Sequence, residues 1–293
     1  MKRVLIYTNI HKDPQLETTR FICSYLKEKG LEAGVWMDEC TLQNRELPEG
    51  VVRVSQKETV SADCVLVLGG DGTVLSAARE IGQFDIPMIG VNLGTLGYLT
   101  EIEVSSLETA LDKLIAGEYS REYRMMLDGS VLFASGEEKS GYALNDIAIS
   151  RSGVFQIIQL DIYVNGEFLN SYHADGMIVT TPTGSTGYSL SAGGPLIEPK
   201  AKLMMLKPIC PHSLNHRSIV LSAEDVIEIV IPFGREGRIQ TVEAHFDGSE
   251  SVAMYTGDRI RITQSKRVTE FIRINQVSFL EVLHKKMSES QGV

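Results

Sequence analysis

The stretch "VLVLGGDGTVLSAAR", residues 65–79, sets one carboxylate, Asp71, among Gly69, Gly70 and Gly72, just ahead of Thr73. An apolar run ends there and helical spacing begins. A glycine-rich turn between strand and helix lets an anion approach main-chain N–H groups, and the helix N-terminus adds partial positive charge. No GK[ST] and no GxGxxG is present, so neither a P-loop nor the dinucleotide-fold fingerprint is formed. Asp71 by itself repels phosphate. Its place suits one of three tasks: accepting a proton, holding Mg2+, or gripping a sugar hydroxyl. The plain structural alternative is a tight turn with an N-capping aspartate.

A second stretch, "HADGMIVTTPTGSTGYSLSAGGP" at 173–195, packs hydroxyls and glycines densely: Thr180, Thr181, Thr183, Ser185, Thr186, Ser189 and Ser191, with Gly184, Gly187, Gly193 and Gly194. This composition suits a surface that hydrogen-bonds a polar ligand through neutral groups and exposed backbone. Asp175 opens it, His173 lies just ahead, and Tyr188 supplies a ring able to stack on a base. A Ser/Gly-rich hairpin linker is the bland alternative. In "LNDIAISR", 144–151, Asn145 and Asp146 offer an amide and a carboxylate, or simply a turn at a strand start.

These residues need a frame. KRVLIYTN (2–9) and CVLVL (64–68) read as buried strands, LEAGVWM (31–37) and PMIGV (87–91) as further strands, and 14–29, 73–82 and about 105–117 as helices. Gly30 stops the first helix, and Ser105 with Glu108 fits a capping box for the third. Residues 38–60 are polar and ambiguous. Strands alternating with helices predict a parallel sheet with helices on its faces. Beyond Tyr123 the segments become short and alternating, and Asn165-Gly166 is a two-residue hairpin signal because both turn positions need φ > 0. The expected fold is an α/β N-terminal domain plus a β-rich, sandwich-like C-terminal domain. The divisions are 1–124 with a returning segment 266–293, and 125–265. In the returning segment, EFIRINQ reads as a strand, and 279–288 as a helix with Leu280, Leu283 and Met287 on one side.

The 293 residues carry a net charge of −10 without a long basic run, which argues against nucleic acid as a partner. No apolar run is long enough to span a membrane, and no signal peptide is read at the N-terminus. The four cysteines, Cys23, Cys40, Cys64 and Cys210, form no CxxC spacing. A cytoplasmic protein with reduced thiols is expected.

GGDGT at 69–73, LNDIAISR at 144–151 and DGMIVTTPTGSTGYSLSAGGP at 175–195 resemble, in this order, the three signature regions of NAD kinases. Lipid kinases of the diacylglycerol type and phosphofructokinases share the first turn, whereas the third block is specific. The resemblance implies the same two-domain fold. It implies transfer of the terminal phosphoryl group of ATP, or polyphosphate in some members, to the 2′-hydroxyl of the adenosine ribose of NAD. It makes Asp71 the proposed base, with Gly69, Gly70, Gly72 and Thr73 at the nucleotide. Asn145 and Asp146 become NAD contacts, and Asp175 with the run Thr186, Gly187, Tyr188, Ser189 and Ser191 holds the adenosine and the nicotinamide end. Mg2+ is expected with the phosphates, and a homodimer or homotetramer as the assembly.

The sequence departs from the family pattern in three places. Gly187 stands where many members have Ala. HSLNHRS at 212–218 lacks the usual proline. His173 is a polar choice at a variable position and leans toward NAD over NADH. His212 and His216 have a helical metal spacing without a helical apolar face, so no metal site is assigned to them. Arg79 and Arg124 face phosphates or solvent. Met125, Met126, Met204 and Met205 read as core. A lipid or sugar kinase would lack the third block, and a non-catalytic nucleotide sensor would not need Asp71 and Asp146.

Overall fold

Strands that are apolar along their whole length belong in a sheet covered on both faces. In the computed structural model, which describes residues 1–36, 52–54, 61–95, 97–153, 156–213, 217–275 and 277–289, β4 (Cys64–Gly69) is buried throughout. It sits in a parallel sheet with β1 (Arg3–Thr8), β2 (Glu32–Trp36), β3 (Val52–Val54) and β5 (Met88–Asn92), in the order β3–β2–β1–β4–β5. β6 (Thr100–Glu103) runs parallel to β5. The helices α1 (Glu17–Glu28) and α3 (Leu107–Ala116) bury Ile22, Leu26, Leu107, Leu111 and Leu114 in the same core as Val4, Ile6, Leu66 and Leu68, and α2 (Asp71–Ile81) buries Val74, Ala77, Ala78 and Ile81.

Within the ambiguous 38–60 span, Val52–Val54 is a strand; 37–51 and 55–60, Cys40 included, lie outside the described residues. The helix ends differ from the sequence expectation in informative ways. α1 starts late because Asp13, ahead of it, takes N–H bonds from Thr18 and Thr19 at 3.3 and 2.9 Å. The expected Ser105–Glu108 capping box does not form. Residues Val104–Ser106 make a 3-10 turn, and Ser106, at the cap, sends its hydroxyl back to Glu103 O.

The chain divides into two compact units, Met1–Tyr123 with Thr269–Val293, and Arg124–Val268. In the second, β9 (Asp146–Arg151), β12 (Gly176–Thr180), β13 (Leu203–Ile209), β14 (Ile219–Ser222), β16 (Thr241–Phe246) and β17 (Glu250–Tyr255) form an antiparallel sheet ordered β14–β13–β12–β9–β16–β17. A second run, β11–β10–β15–β18, is built from β10 (Ile158–Val164), β11 (Glu167–Ala174), β15 (Ile227–Val230) and the start of β18 (Arg259–Arg273). β7 (Ser120–Leu132) and β8 (Glu138–Ala143) pair as a hairpin. Ile147, Ile149, Val179 and Leu206 from one layer share a core with Leu160, Ile162, Ile229 and Ile260 from the other, so the unit is a sandwich.

The Asn165-Gly166 hairpin forms with φ of 52° and 82°, the combination a two-residue turn of this kind demands. RIRIT and EFIRINQ, read as separate strands, belong to the single strand β18. No glycine or proline interrupts 259–275, and Ser265 and Thr269 stay buried along it. The last helix, α4 (Phe279–Glu289), stacks Phe279 on Tyr98 at 6.1 Å between ring centres. Its Leu280 and Met287 face solvent instead of the core. Met125, Met126, Met204 and Met205 are core residues. Among the described residues, no helix is long and apolar enough to cross a membrane.

Candidate active site

The site residues fall into two groups, one in each unit. In the first, β4 ends at Gly69, Gly70 is extended at φ −135°, and α2 starts on Asp71 itself rather than at Thr73. Thr73, buried, closes the turn. Its N–H donates to Gly70 O at 2.9 Å, and its hydroxyl accepts from Gly70 N–H at 3.3 Å and from Asn9 Nδ2 at 2.9 Å. Gly72 is exposed at the helix start.

Asp71 does not cap its own helix. Its Oδ2 accepts the N–H of Tyr98 at 2.8 Å and its Oδ1 that of Leu99 at 2.9 Å. Both donors lie in the loop after β5, which Asn92 folds by bonding Gly94 O and N at 2.6 and 3.2 Å. The N-capping alternative is therefore wrong for this residue. The carboxylate is pinned from outside, with a fixed direction at a strand tip.

Lys12, which the sequence reading passed over, brings its ammonium beside both glycine loops. A Cβ on Gly70 would lie 2.7 Å from Nζ and one on Gly94 3.5 Å from it. Lys12, Asn92, Gly94 and Thr95 line an open cleft of about 600 Å3 together with Glu103 and Lys285, which pair at 3.5 Å. An isolated lysine gave no sequence signal.

In the second unit, Asn145 and Asp146 occupy the link from β8 into β9, and their main chain is fully engaged. The N–H groups of Leu144, Asn145 and Asp146 donate to the carboxylate of Asp247 at 2.8, 2.8 and 3.1 Å. Asn145 O accepts from Thr181 N–H at 2.8 Å and from the Thr180 hydroxyl at 3.1 Å, and Leu144 O accepts from the Thr181 hydroxyl at 2.7 Å. Asp247 N–H returns a bond to Asp146 O at 3.1 Å.

Asp146 is buried, and burial, reinforced by the charge of Asp247, pushes its carboxyl up to about 7. Buried Asn145 Oδ1 and Ser189 Oγ have no hydrogen-bond partner. Unpaired buried acceptors of this kind carry a desolvation cost that a ligand donor relieves.

The hydroxyl-rich block corrects the expectation of a ligand-facing surface. Thr180, Thr181, Thr183 and Ser185 are buried and spend their hydroxyls on the fold. Ser185 Oγ donates to Pro182 O at 2.7 Å and accepts Ile197 N–H at 3.0 Å, and Thr186 Oγ1 donates to Thr183 O at 3.1 Å. Arg124, expected at phosphate or solvent, is buried and donates to Thr183 Oγ1 at 3.2 Å. Arg79 lies 3.6 Å from Glu80. Residues of this block left available are Tyr188 and Ser191, both exposed, and Ser189, buried and unpartnered.

Gly187 stands against the Asn145 amide: a Cβ there would sit 3.2 Å from Nδ2. Burial, then Asp146, Cys210 and Asp175, raise the Tyr188 phenol, which places the ring in the field of both carboxylates. Asp175 pairs with Arg151 at 3.0 Å. His173 O accepts His212 N–H at 2.8 Å, and His173 lines a cleft of about 440 Å3 with Arg151, Gln159 and Arg238. His216 lies outside the described residues. Among the described residues, no three His, Cys, Asp or Glu side chains cluster to cage a metal.

A strand–glycine turn–helix with a pinned carboxylate in one unit, and a sandwich that displays an amide and a carboxyl in the other, are the features of a nucleotide-directed phosphotransferase class. The comparisons narrow it. The ATP-NAD kinase N-terminal domain matches residues 4–119, and the C-terminal domain of that family matches residues 144–274. The NAD kinase of Lachnospira eligens is 47% identical over 98% of this chain and 100% of its own length. That of Agathobacter rectalis is 44% identical over 98% and 99%. Among solved structures, yeast NADH kinase complexed with NADH superposes with a TM-score of 0.89 at 23% identity, covering 98% of this chain and 88% of that one. An NAD kinase from Archaeoglobus fulgidus in complex with ATP superposes at 0.75 and 25% identity, covering 98% and 99%. The chain belongs to the ATP-NAD kinase family.

Proposed function

We propose that this protein phosphorylates NAD on the 2′-hydroxyl of its adenosine ribose with ATP as donor, yielding NADP and ADP. The carrying observation is the carboxylate of Asp71, held by two main-chain N–H groups at the tip of a parallel strand. A ribose hydroxyl is a weak nucleophile, so most of the task is to hold it in line with the donor phosphorus. Asp71 accepts the hydroxyl proton as the new P–O bond forms and ADP departs. Such base assistance contributes about 10²–10⁴-fold.

The donor phosphates rest against the turn at exposed Gly72, since the N–H groups of Gly70 and Thr73 are bonded within the turn, and the Lys12 ammonium adds positive charge there. Gly69 allows the close approach of Thr73. Mg2+ is expected with the nucleotide, where its ligands would be phosphate oxygens and water, and no protein side chain is assigned to it. Bound Mg2+ supplies neutralisation of the polyphosphate charge.

Asn145 and Asp146 recognise the adenosine. Orphaned Asn145 Oδ1 suits an N–H donor, and a protonated Asp146 offers an O–H. Asp175 and the run Thr186, Gly187, Tyr188, Ser189 and Ser191 hold the rest of the dinucleotide, with Tyr188 stacking, and polar His173 favours NAD over NADH. The protein works in the cytoplasm as a homodimer or homotetramer. Exposed Phe168, Val220, Phe233 and Tyr255 supply apolar surface for that assembly.

Incubation with NAD, ATP and Mg2+, followed by an NADP-specific dehydrogenase, tests the reading. NADP formation is expected. Binding of NAD without NADP would make the protein a sensor and overturn it.

A further inference from the structure

We propose that Asp247 is a positioning residue for the acceptor-nucleotide site: its carboxylate fixes the Asn145–Asp146 link so that both side chains are presented to the dinucleotide. The inference rests on the reading of Asn145 and Asp146 as NAD contacts.

Asp247 begins the three-residue turn, 247–249, of the β16–β17 hairpin, with φ 48° at Asp247 and 69° at Gly248. A turn of this type asks for Asn, Asp or Gly at that position for backbone reasons alone. Nothing about the hairpin calls for a charge. Yet the carboxylate points away from its own hairpin, across about a hundred residues of sequence, and gathers three successive N–H groups. Successive N–H groups turned to one side form an anion-binding concavity, and here a side chain of the same protein fills it. With the Thr180 and Thr181 bonds on the carbonyl side, every main-chain polar group of 144–146 is satisfied. The link therefore has no local freedom, and its side chains take their direction from Asp247.

Two features separate this from plain structural support. Asn145 Oδ1 is left buried without a protein partner at the link Asp247 immobilises, and a ligand donor there would relieve its desolvation cost. Asp247 also lays its negative charge beside the carboxyl of Asp146, one of the two side chains it orients. A neutral turn residue would serve the hairpin equally well and do neither.

The test is Asp247→Asn. Asparagine tolerates the left-handed backbone, so the hairpin is kept, but its NH2 faces N–H donors and one acceptor oxygen is lost. The expected result is a rise of tenfold or more in Kd for NAD, with Kd for ATP within twofold and kcat within a few-fold. On an Asn145→Ala background, the same change weakens NAD binding far less, because the side chain it positions is gone. A rise in Kd shared equally by NAD and ATP, an unchanged Kd for NAD, or a full additive effect on the Asn145→Ala background would each overturn the inference. Should Asp247→Asn not fold, Asp247→Glu, which keeps the charge on a longer stem, is read by the same criteria. Failure of the unsubstituted protein to bind NAD would instead sink the underlying reading, a result distinguishable from all of these.

Discussion

The carboxylate of Asp71 occupies the space that a side chain on Gly97 would need. A Cβ built on Gly97 would lie 2.7 Å from Asp71 Oδ2 and closer still to Cγ and Oδ1. The absence of a side chain at 97 is thus what lets the carboxylate dock on the N–H groups of Tyr98 and Leu99. Gly97→Ala is expected to lower kcat by about 10²-fold or more through displacement of the base, while Kd for NAD stays within a few-fold. Steady-state kinetics with calorimetric binding checks this, and an unchanged kcat would show that the contact does not set the position of Asp71.

Asp146 makes stability depend on pH. Burial and the Asp247 charge raise its carboxyl from an ordinary 3.8 to about 7, and the Tyr188 phenol is the other titratable group in its field. Below about pH 4 folded and unfolded chains both carry the proton, so the fold is not penalised. As pH climbs toward 7 only the unfolded carboxyl ionises. The stability lost reaches up to about 4 kcal/mol and stays lost above that pH. Asp146→Asn should accordingly raise stability strongly at pH 8 and only slightly at pH 4, as measured by denaturant unfolding at the two pH values. Equal effects at both would remove the raised carboxyl from the account.

Asn145 carries the complementary signature. Because buried Oδ1 is unpartnered, its removal costs the empty protein little. Asn145→Ala should leave the melting temperature of the ligand-free protein within a degree or two, yet raise Kd for NAD by about tenfold, equivalent to about 1.4 kcal/mol. Thermal melts with and without NAD give both readings. A lower melting temperature with unchanged Kd would assign Asn145 to the fold.

Much of the frame is legible in the sequence because it is local. Wholly apolar β4, the helix after its glycine turn and the Asn165-Gly166 hairpin are each dictated by residues within a few positions of one another. What stays hidden depends on partners far along the chain. Nothing near Asp71 indicates that its carboxylate docks on amides 27 and 28 residues later. Asp247 looks like a hairpin residue until its carboxylate meets Asn145, 102 positions away. The hydroxyls of 180–186 have a polar composition that reads as a ligand surface, whereas buried carbonyls and N–H groups of the fold consume them. β18 was hidden by its polar middle: QSKRVT lacks apolar alternation but also lacks any residue that would stop a strand.

The most direct test of the account is Asp71→Asn, assayed for kcat and, by calorimetry, for NAD binding. The carboxamide keeps the volume and one acceptor oxygen for the Tyr98 and Leu99 N–H groups but is a far weaker proton acceptor. The account predicts a folded protein that binds NAD with Kd within a few-fold of the unsubstituted one and turns over at least 10²-fold more slowly. A variant with near-normal kcat would contradict it.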